Sequence, residues 1–213
     1  MQNSITVVTP AEDFALLTVR DARLGLNLTT ASDTIDEQID LFIKWASDEI
    51  ATECNRTLAQ EEVVETIWNL DSERIFLERY PIKEIKSVSE NGSILSVADY
   101  NLDKETGKLT RLGSLARGLT ISWKNPIIVN YIGGYDLPKA APKALSKAAM
   151  MITREAYYAM LRGDISVRMI SHKESRIIYF DPNAHLGKTG GGGGSSTKRA
   201  VQDILSAYTR YVV

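Results

Sequence analysis

The stretch Ile127–Arg162, IIVNYIGGYDLPKAAPKALSKAAMMITREAYYAMLR, decides how the rest of this chain is read. Ile127, Val129 and Tyr131 alternate with Ile128, Asn130 and Ile132, a short and mostly apolar run that predicts a buried strand. Gly133 and Gly134 follow, and two residues without a Cβ let the backbone turn sharply. Such a pair can also form an anion nest, but a turn accounts for it without a ligand. Pro138 and Pro142 suit the first turn of a helix, where a missing N–H leaves no bond unmade. Leu145, Ala148, Ala149, Ile152, Ala156 and Met160 recur at three- and four-residue spacing, so an amphipathic helix is predicted over 139–162.

Between Glu61 and Ile132 the periodicity changes. VVETIWNL, RIFLE, IKEIKSVSE, SILSV, YNLD, KLTRL, LTISWK and IIVNYI alternate apolar with polar residues, which predicts six or more short strands. Asn91-Gly92 is the strongest hairpin signal among them, and Lys104–Gly107 reads as a second turn. Trp68, Phe76, Trp123 and Tyr131 are the expected aromatic core of this antiparallel region. Before it stand two predicted helices. Thr9-Pro10-Ala11-Glu12 offers a capping hydroxyl, a first-position proline and a first-turn acid, so a helix is expected over 10–25. A second helix over 34–56, capped by Asp33 or Thr34, carries Ile35, Ile39, Phe42, Ile43, Ala46, Ile50 and Cys54 on one face. Its opposite face holds Asp36, Glu37, Asp40, Asp48, Glu49 and Glu53, which reads as a solvated acidic face. Cys54 lies at helical spacing from Ile43, Ala46 and Ile50 and reads as a small buried hydrophobe rather than a reactive thiol.

After Arg162 the pattern loosens. SVRMIS and SRIIYF, separated by His172-Lys173-Glu174, predict a β-hairpin within an extension over 163–186. Residues 187–196, GKTGGGGGSS, have the composition of a flexible linker whose ends sit roughly 17 Å apart on average. Beyond them Thr197 caps KRAVQDILSAYTRYVV, in which Val201, Ile204, Leu205, Tyr208 and Val212 form an apolar stripe. A helix of this length is marginal alone in water. An amphipathic helix on a glycine tether is therefore expected to dock onto a partner. The fold class expected is α+β: a small helical bundle over 1–162 with an inserted antiparallel β region, plus a C-terminal extension ending in a helix.

Composition removes several functions. With 44% apolar and 24% charged residues in 213, the chain has the balance of an ordinary soluble globular protein. It has no run long enough for a membrane span and no signal peptide at its N-terminus, so a cytoplasmically made protein is expected. The single cysteine forbids an internal disulfide. Formal net charge is −2, yet residues 162–213 hold eight Lys and Arg against four acids, leaving the body acidic. Gly187-Lys188-Thr189 lacks the upstream glycine of a phosphate loop, since Pro182 occupies that place. His172 and His185 have no ligand-spaced partners for a metal. No cofactor and no catalytic constellation is expected.

The ordered pieces do resemble a known family. The acidic helix with its ASDEIATECNRTL ending, Tyr80-Pro81-Ile82, DYNLDKETGKLTRL (Asp99–Leu112) and VNYIGGYDLPKAAPKALSKAA (Val129–Ala149) resemble, in order, the head–tail connector or adaptor proteins of tailed bacteriophages and gene transfer agents. The resemblance covers roughly residues 9–161. It implies a virion structural protein of the neck, made in the host bacterium, that assembles as a ring of usually twelve copies beneath the portal protein. It implies further that the ring joins the head to a stopper or tail protein and lets genomic DNA pass without sequence-specific contact. The terminal helix, with Lys198, Arg199, Val201, Ile204, Leu205, Tyr208 and Tyr211, is then the candidate portal-binding element, and Gly133, Gly134 and Pro138 organise the core. Two other classes stay open: a module outside any virion whose basic tail binds protein or nucleic acid, and an enzyme with a site around Asp99, Asp103, Glu105 and Arg111.

Overall fold

The computed structural model describes residues 2–30, 32–68, 71–113, 119–162, 169–172, 175–178 and 196–210. The chain packs as two compact units, one of Met1–Phe14 with Arg56–Ala140, the other of Ala15–Asn55 with Ala141–Val213.

The first unit is a β structure. Strands β1 (Gln2–Thr9), β2 (Glu61–Trp68), β3 (Arg74–Phe76), β4 (Ile82–Glu90), β5 (Ser93–Ile94), β6 (Tyr100–Asp103), β7 (Lys108–Arg111) and β8 (Ile127–Gly133) form two antiparallel sheets. The larger runs β1-β2-β8-β4-β5 and the smaller β3-β7-β6. The strand beginning at Ile127 is thus the centre of the larger sheet, paired with β2 on one side and β4 on the other. Ile127, Val129 and Tyr131 face a core with Val63, Ile67, Ile75, Leu77, Leu109 and Trp123. Ile128, on the opposite face, is exposed, so β8 buries one side rather than both. Asn91 and Gly92 both take positive φ, 47° and 78°, the backbone that a two-residue hairpin between β4 and β5 demands.

Three expectations fail here for physical reasons. The segment from Thr9 does not start a helix. Residues 2–9 form β1, Pro10 stands just past the strand, and the first helix begins only at Val19. Ser4, Thr6 and Val8 alternate with Ile5 and Val7 in a run rich in β-branched residues, and pairing with β2 overrides the local helix-start signal. The β region is consequently not a simple insertion, because its edge strand comes from the N-terminus. Phe76 is exposed, since alternation turns its neighbours Ile75 and Leu77 inward; Trp68 is only half-buried. The run Leu119–Lys124 forms no strand and contributes one isolated bridge, Leu112 to Thr120, together with the buried Trp123.

The second unit is helical. Helix α1 (Val19–Gly25) is capped by Thr18, whose hydroxyl accepts the Asp21 N–H at 3.1 Å. Helix α2 (Asp33–Glu53) buries Ile39, Phe42, Ile43, Ala46 and Ile50, as its periodicity predicts. Its N-cap is Ser32, without a side-chain bond, and not Asp33 or Thr34. Cys54 closes it and is fully buried. Helix α3 (Lys143–Arg162) starts four residues later than expected. Pro142 immediately precedes it and its carbonyl accepts the Ser146 N–H at 3.0 Å, whereas Pro138 lies in an earlier turn of the first unit. Leu145, Ala148 and Ala149 are fully buried, but Met160 is exposed. The hairpin appears as β9 (Met169–His172) paired with β10 (Ser175–Ile178). Helix α4 (Ser196–Ser206) ends well short of residue 213. The linker over 187–195, with Gly187-Lys188-Thr189, lies outside the described residues, as do His185, Tyr211 and Val212.

Candidate functional site

The C-terminal helix shows what its stripe is for within the chain. Helix α4 packs on α3, and Val201 and Leu205 are buried, 7% and 4% exposed. Past the helix, the Thr209 N–H returns to the Leu205 carbonyl, and the Arg210 N–H donates to the Cys54 carbonyl at 2.9 Å. The segment after α4 is therefore stitched at Arg210 to the C-terminus of α2. Lys198 and Arg199 are exposed, and Ile204 and Tyr208 are half-buried. The candidate residues thus divide: the apolar pair faces its own unit, and the cationic pair faces outward.

The glycine turn is structural. Gly134 takes φ +103°, and a Cβ there would overlap the Ala59 carbonyl; a Cβ on Gly133 would overlap the Arg79 carbonyl. The Gly134 N–H donates to Pro81 O at 2.9 Å, and Tyr135 exchanges backbone bonds with Leu58 and Gln60 at 2.8 Å each. With its N–H so engaged, Gly134 is a crossing point of three backbone segments rather than an anion nest. Beside it the buried Arg56 guanidinium lies 3.6 Å above the Tyr80 ring and donates to the Tyr80 carbonyl.

Of the residues of the enzyme alternative, Asp99, Asp103 and Arg111 are occupied, and the Glu105 side chain is exposed. Asp99 caps the short 3-10 turn Val97–Asp99 by accepting the Ser96 N–H at 2.9 Å. Asp103 accepts the Thr106 hydroxyl at 2.7 Å and the Glu105 N–H at 3.2 Å, and the Thr106 bond holds its carboxyl below the usual range. Arg111 pairs with Glu90 at 3.0 Å and donates to the Asp99 and Leu112 carbonyls at 2.8 Å. These are turn and sheet contacts, and they leave no convergent carboxylates. Among the described residues no three His, Cys, Asp or Glu side chains gather as metal ligands, and no helix is long and apolar enough to cross a membrane.

One polar cluster escaped the sequence reading. Glu65 on β2 is fully buried, accepting the Tyr131 hydroxyl at 2.7 Å, the Glu78 N–H at 3.1 Å and Asn3 Nδ2 at 2.8 Å. Asn3 Nδ2 reaches Glu78 Oε1 as well, at 2.8 Å, and Arg79 pairs with Glu61 at 2.9 Å. Burial pushes the Glu65 carboxyl above its usual range, against the opposing pull of these donors; burial and the neighbouring carboxylate push the Tyr131 hydroxyl up. The alternating pattern of EEVVETIW carried the signal, since Glu65 shares a face with Val63 and Ile67. Every donor to it comes from another strand or turn, so the group ties β1, β2 and β8 to the 78–79 turn.

A profile of the head completion protein family matches residues 15–162, about two-thirds of the sequence. The chain belongs to the head completion protein family. Three solved structures share its fold over nearly the whole length. One is a chain of the neck of an empty gene transfer agent (GTA) particle computed with C6 symmetry, at TM-score 0.57 and 14% identity, covering 99% of this chain and 97% of that one. The neck of a native GTA particle computed with C12 symmetry gives 0.52 and 14%, with 99% and 97% covered. The virion of a native GTA particle gives 0.54 and 13%, with 98% and 96% covered. Among curated proteins nothing matches by sequence. At this identity the structural likeness concerns the fold, and the family assignment rests on the profile match.

Proposed function

We propose that this head completion protein is a non-catalytic head–tail adaptor of the virion neck, forming a ring beneath the portal protein and receiving a stopper or tail protein below. The observation that carries this reading is the family match over 15–162, and the likeness to GTA neck chains along 99% of the sequence agrees with it. Genomic DNA would pass through the ring without base-specific contact.

The portal contact is assigned to helix α4 and the residues that follow it, through Lys198, Arg199, Tyr208 and Tyr211. Val201, Ile204 and Leu205 serve the same contact by holding the helix in place on α3. Cationic residues on a helix that its own stripe immobilises lose little conformational freedom on docking. The test is to mix the purified chain with its cognate portal and image the mixture by negative-stain electron microscopy. An added ring of density under the portal is expected, and Lys198→Glu with Arg199→Glu should remove it while leaving the fold intact by circular dichroism. Bare portals beside a monodisperse monomer would overturn the adaptor reading.

A further inference from the structure

The second unit displays two helix faces that nothing in the described chain covers, and they are opposites. On α2, Leu41 and Trp45 are 44% and 59% exposed, one turn apart, with Glu37, Asp48 and Glu49 exposed around them. Lys44, the lone cation of that helix, is held by Asp40 at 2.7 Å, so this rim is acidic. On α3, Tyr158 and Leu161 are 38% and 60% exposed, and Lys143, Lys147 and Arg154 stand on the same stripe. Those five fall at spacings of four, seven, four and three, which keeps them within a narrow sector of the helix. Arg154 lies 5.7 Å over the Tyr158 ring, which joins the cationic and aromatic parts of the face. Among the described residues no ion pair engages Glu37, Asp48, Glu49, Lys143 or Lys147.

We propose that the acidic Leu41/Trp45 face of α2 docks on the basic Tyr158/Leu161 face of α3 in a second copy of this chain. Each face has an apolar, aromatic centre and a charged rim, the arrangement of a protein interface with its energy at the centre. The two rims are of opposite sign and similar extent, so a second copy meets the charge requirement of each. Because the two faces differ, the contact is heterologous: every copy offers one of each, and repetition yields a ring where the rotation closes. The inference rests on the adaptor reading for its biological setting, but the contact itself follows from the two faces.

The test uses the full chain with single cysteines. Trp45→Cys and Tyr158→Cys chains are mixed at low salt, oxidised and run on a non-reducing gel; the native Cys54 is buried and does not compete. A mixed disulfide is expected, with neither variant giving a comparable homodimer, and a chain bearing both substitutions should give a ladder. Absence of the mixed disulfide overturns the contact. Charge supplies the second arm. Reversing Glu37, Asp48 and Glu49 to Lys should weaken self-association in sedimentation velocity at low salt by roughly ten- to a hundredfold. Reversing Lys143, Lys147 and Arg154 to Glu in that same chain should restore it, and failure of this rescue in a folded protein counts against the pairing. Closed rings of the wild-type chain without the disulfide would keep the adaptor reading and refute this contact. A disulfide-linked series that never closes would do the reverse.

Discussion

Replacing Tyr131 by Phe removes one oxygen from the centre of the β unit. That oxygen donates to Glu65 at 2.7 Å and accepts the Arg79 N–H at 3.0 Å. A hydrogen bond to a charged group contributes about 1.5–3 kcal/mol, and a buried N–H left without an acceptor costs about 1–3 kcal/mol. The two losses are not independent, so a destabilisation of about 2–4 kcal/mol is expected. Its pH dependence carries a definite sign. Burial holds the Glu65 carboxyl above its ordinary value, so at intermediate pH the native state binds a proton that the unfolded chain has released. Stability from this group is therefore highest below the ordinary carboxylate range and declines as pH rises through the raised value. The Tyr131 donor opposes that rise, and its removal lifts the Glu65 carboxyl further. The deficit of the variant should accordingly grow as pH rises through that raised value, by about 1 kcal/mol, the difference between a neutral and a charge-assisted bond. Urea unfolding followed through tryptophan emission measures it, since Trp68 and Trp123 lie in this unit. A loss under about 0.5 kcal/mol, or one that shrinks as pH rises, would refute the reasoning.

Other substitutions test other joints. Gly134→Ala forces a Cβ onto the Ala59 carbonyl at φ +103°, and Gly133→Ala forces one onto the Arg79 carbonyl. Each should cost more than about 3 kcal/mol, seen as lost soluble yield or a collapsed melting transition, whereas Gly92→Ala, at positive φ in open space, should cost only about 1 kcal/mol. Leu205→Ala should undock α4 without unfolding the remainder, so amide exchange over 196–206 should accelerate while α2 stays protected. Cys54 should react with a thiol reagent only after denaturant is added, because its side chain is fully buried.

What the sequence made legible were elements whose signal is local. The face of α2 from Ile39 to Ile50 repeats at helical spacing, and Asn91-Gly92 names its own turn, so both appear where expected. What it hid depends on partners far along the chain. Gln2–Thr9 became a strand only because residues 61–68 offered an edge, and no window around Thr9-Pro10 contains that fact. Phe76 and Ile75 are both good strand residues, and only the pairing with β7 decides which of them points inward. The alternation of β2 puts Glu65 on the inward face, but the partners that make its burial tolerable, Tyr131, Asn3 and the Glu78 N–H, converge on it from three other segments. The terminal helix was legible as amphipathic, but amphipathicity says that a face is covered and not by what.

That last distinction bears on how such a subunit would assemble. In the proposed ring, Val201 and Leu205 are already buried in the free chain, so α4 has no unsatisfied apolar stripe to drive premature aggregation. The apolar centre of each proposed face, Leu41 and Trp45 on one helix and Tyr158 and Leu161 on the other, is small and ringed by like charges. Two copies meeting in solution gain little, because exposed ion pairs contribute about 0.2–1 kcal/mol each and salt screens them. Copies held side by side on a portal meet the same contact at high effective concentration, and the association that was weak becomes sufficient. Self-association that strengthens steeply as salt is lowered, with ring closure at ordinary salt only when portal is present, is the behaviour this division of surfaces requires. Tight, salt-indifferent oligomers of the free chain would mean that a larger apolar contact, and not these two helix faces, holds the copies together.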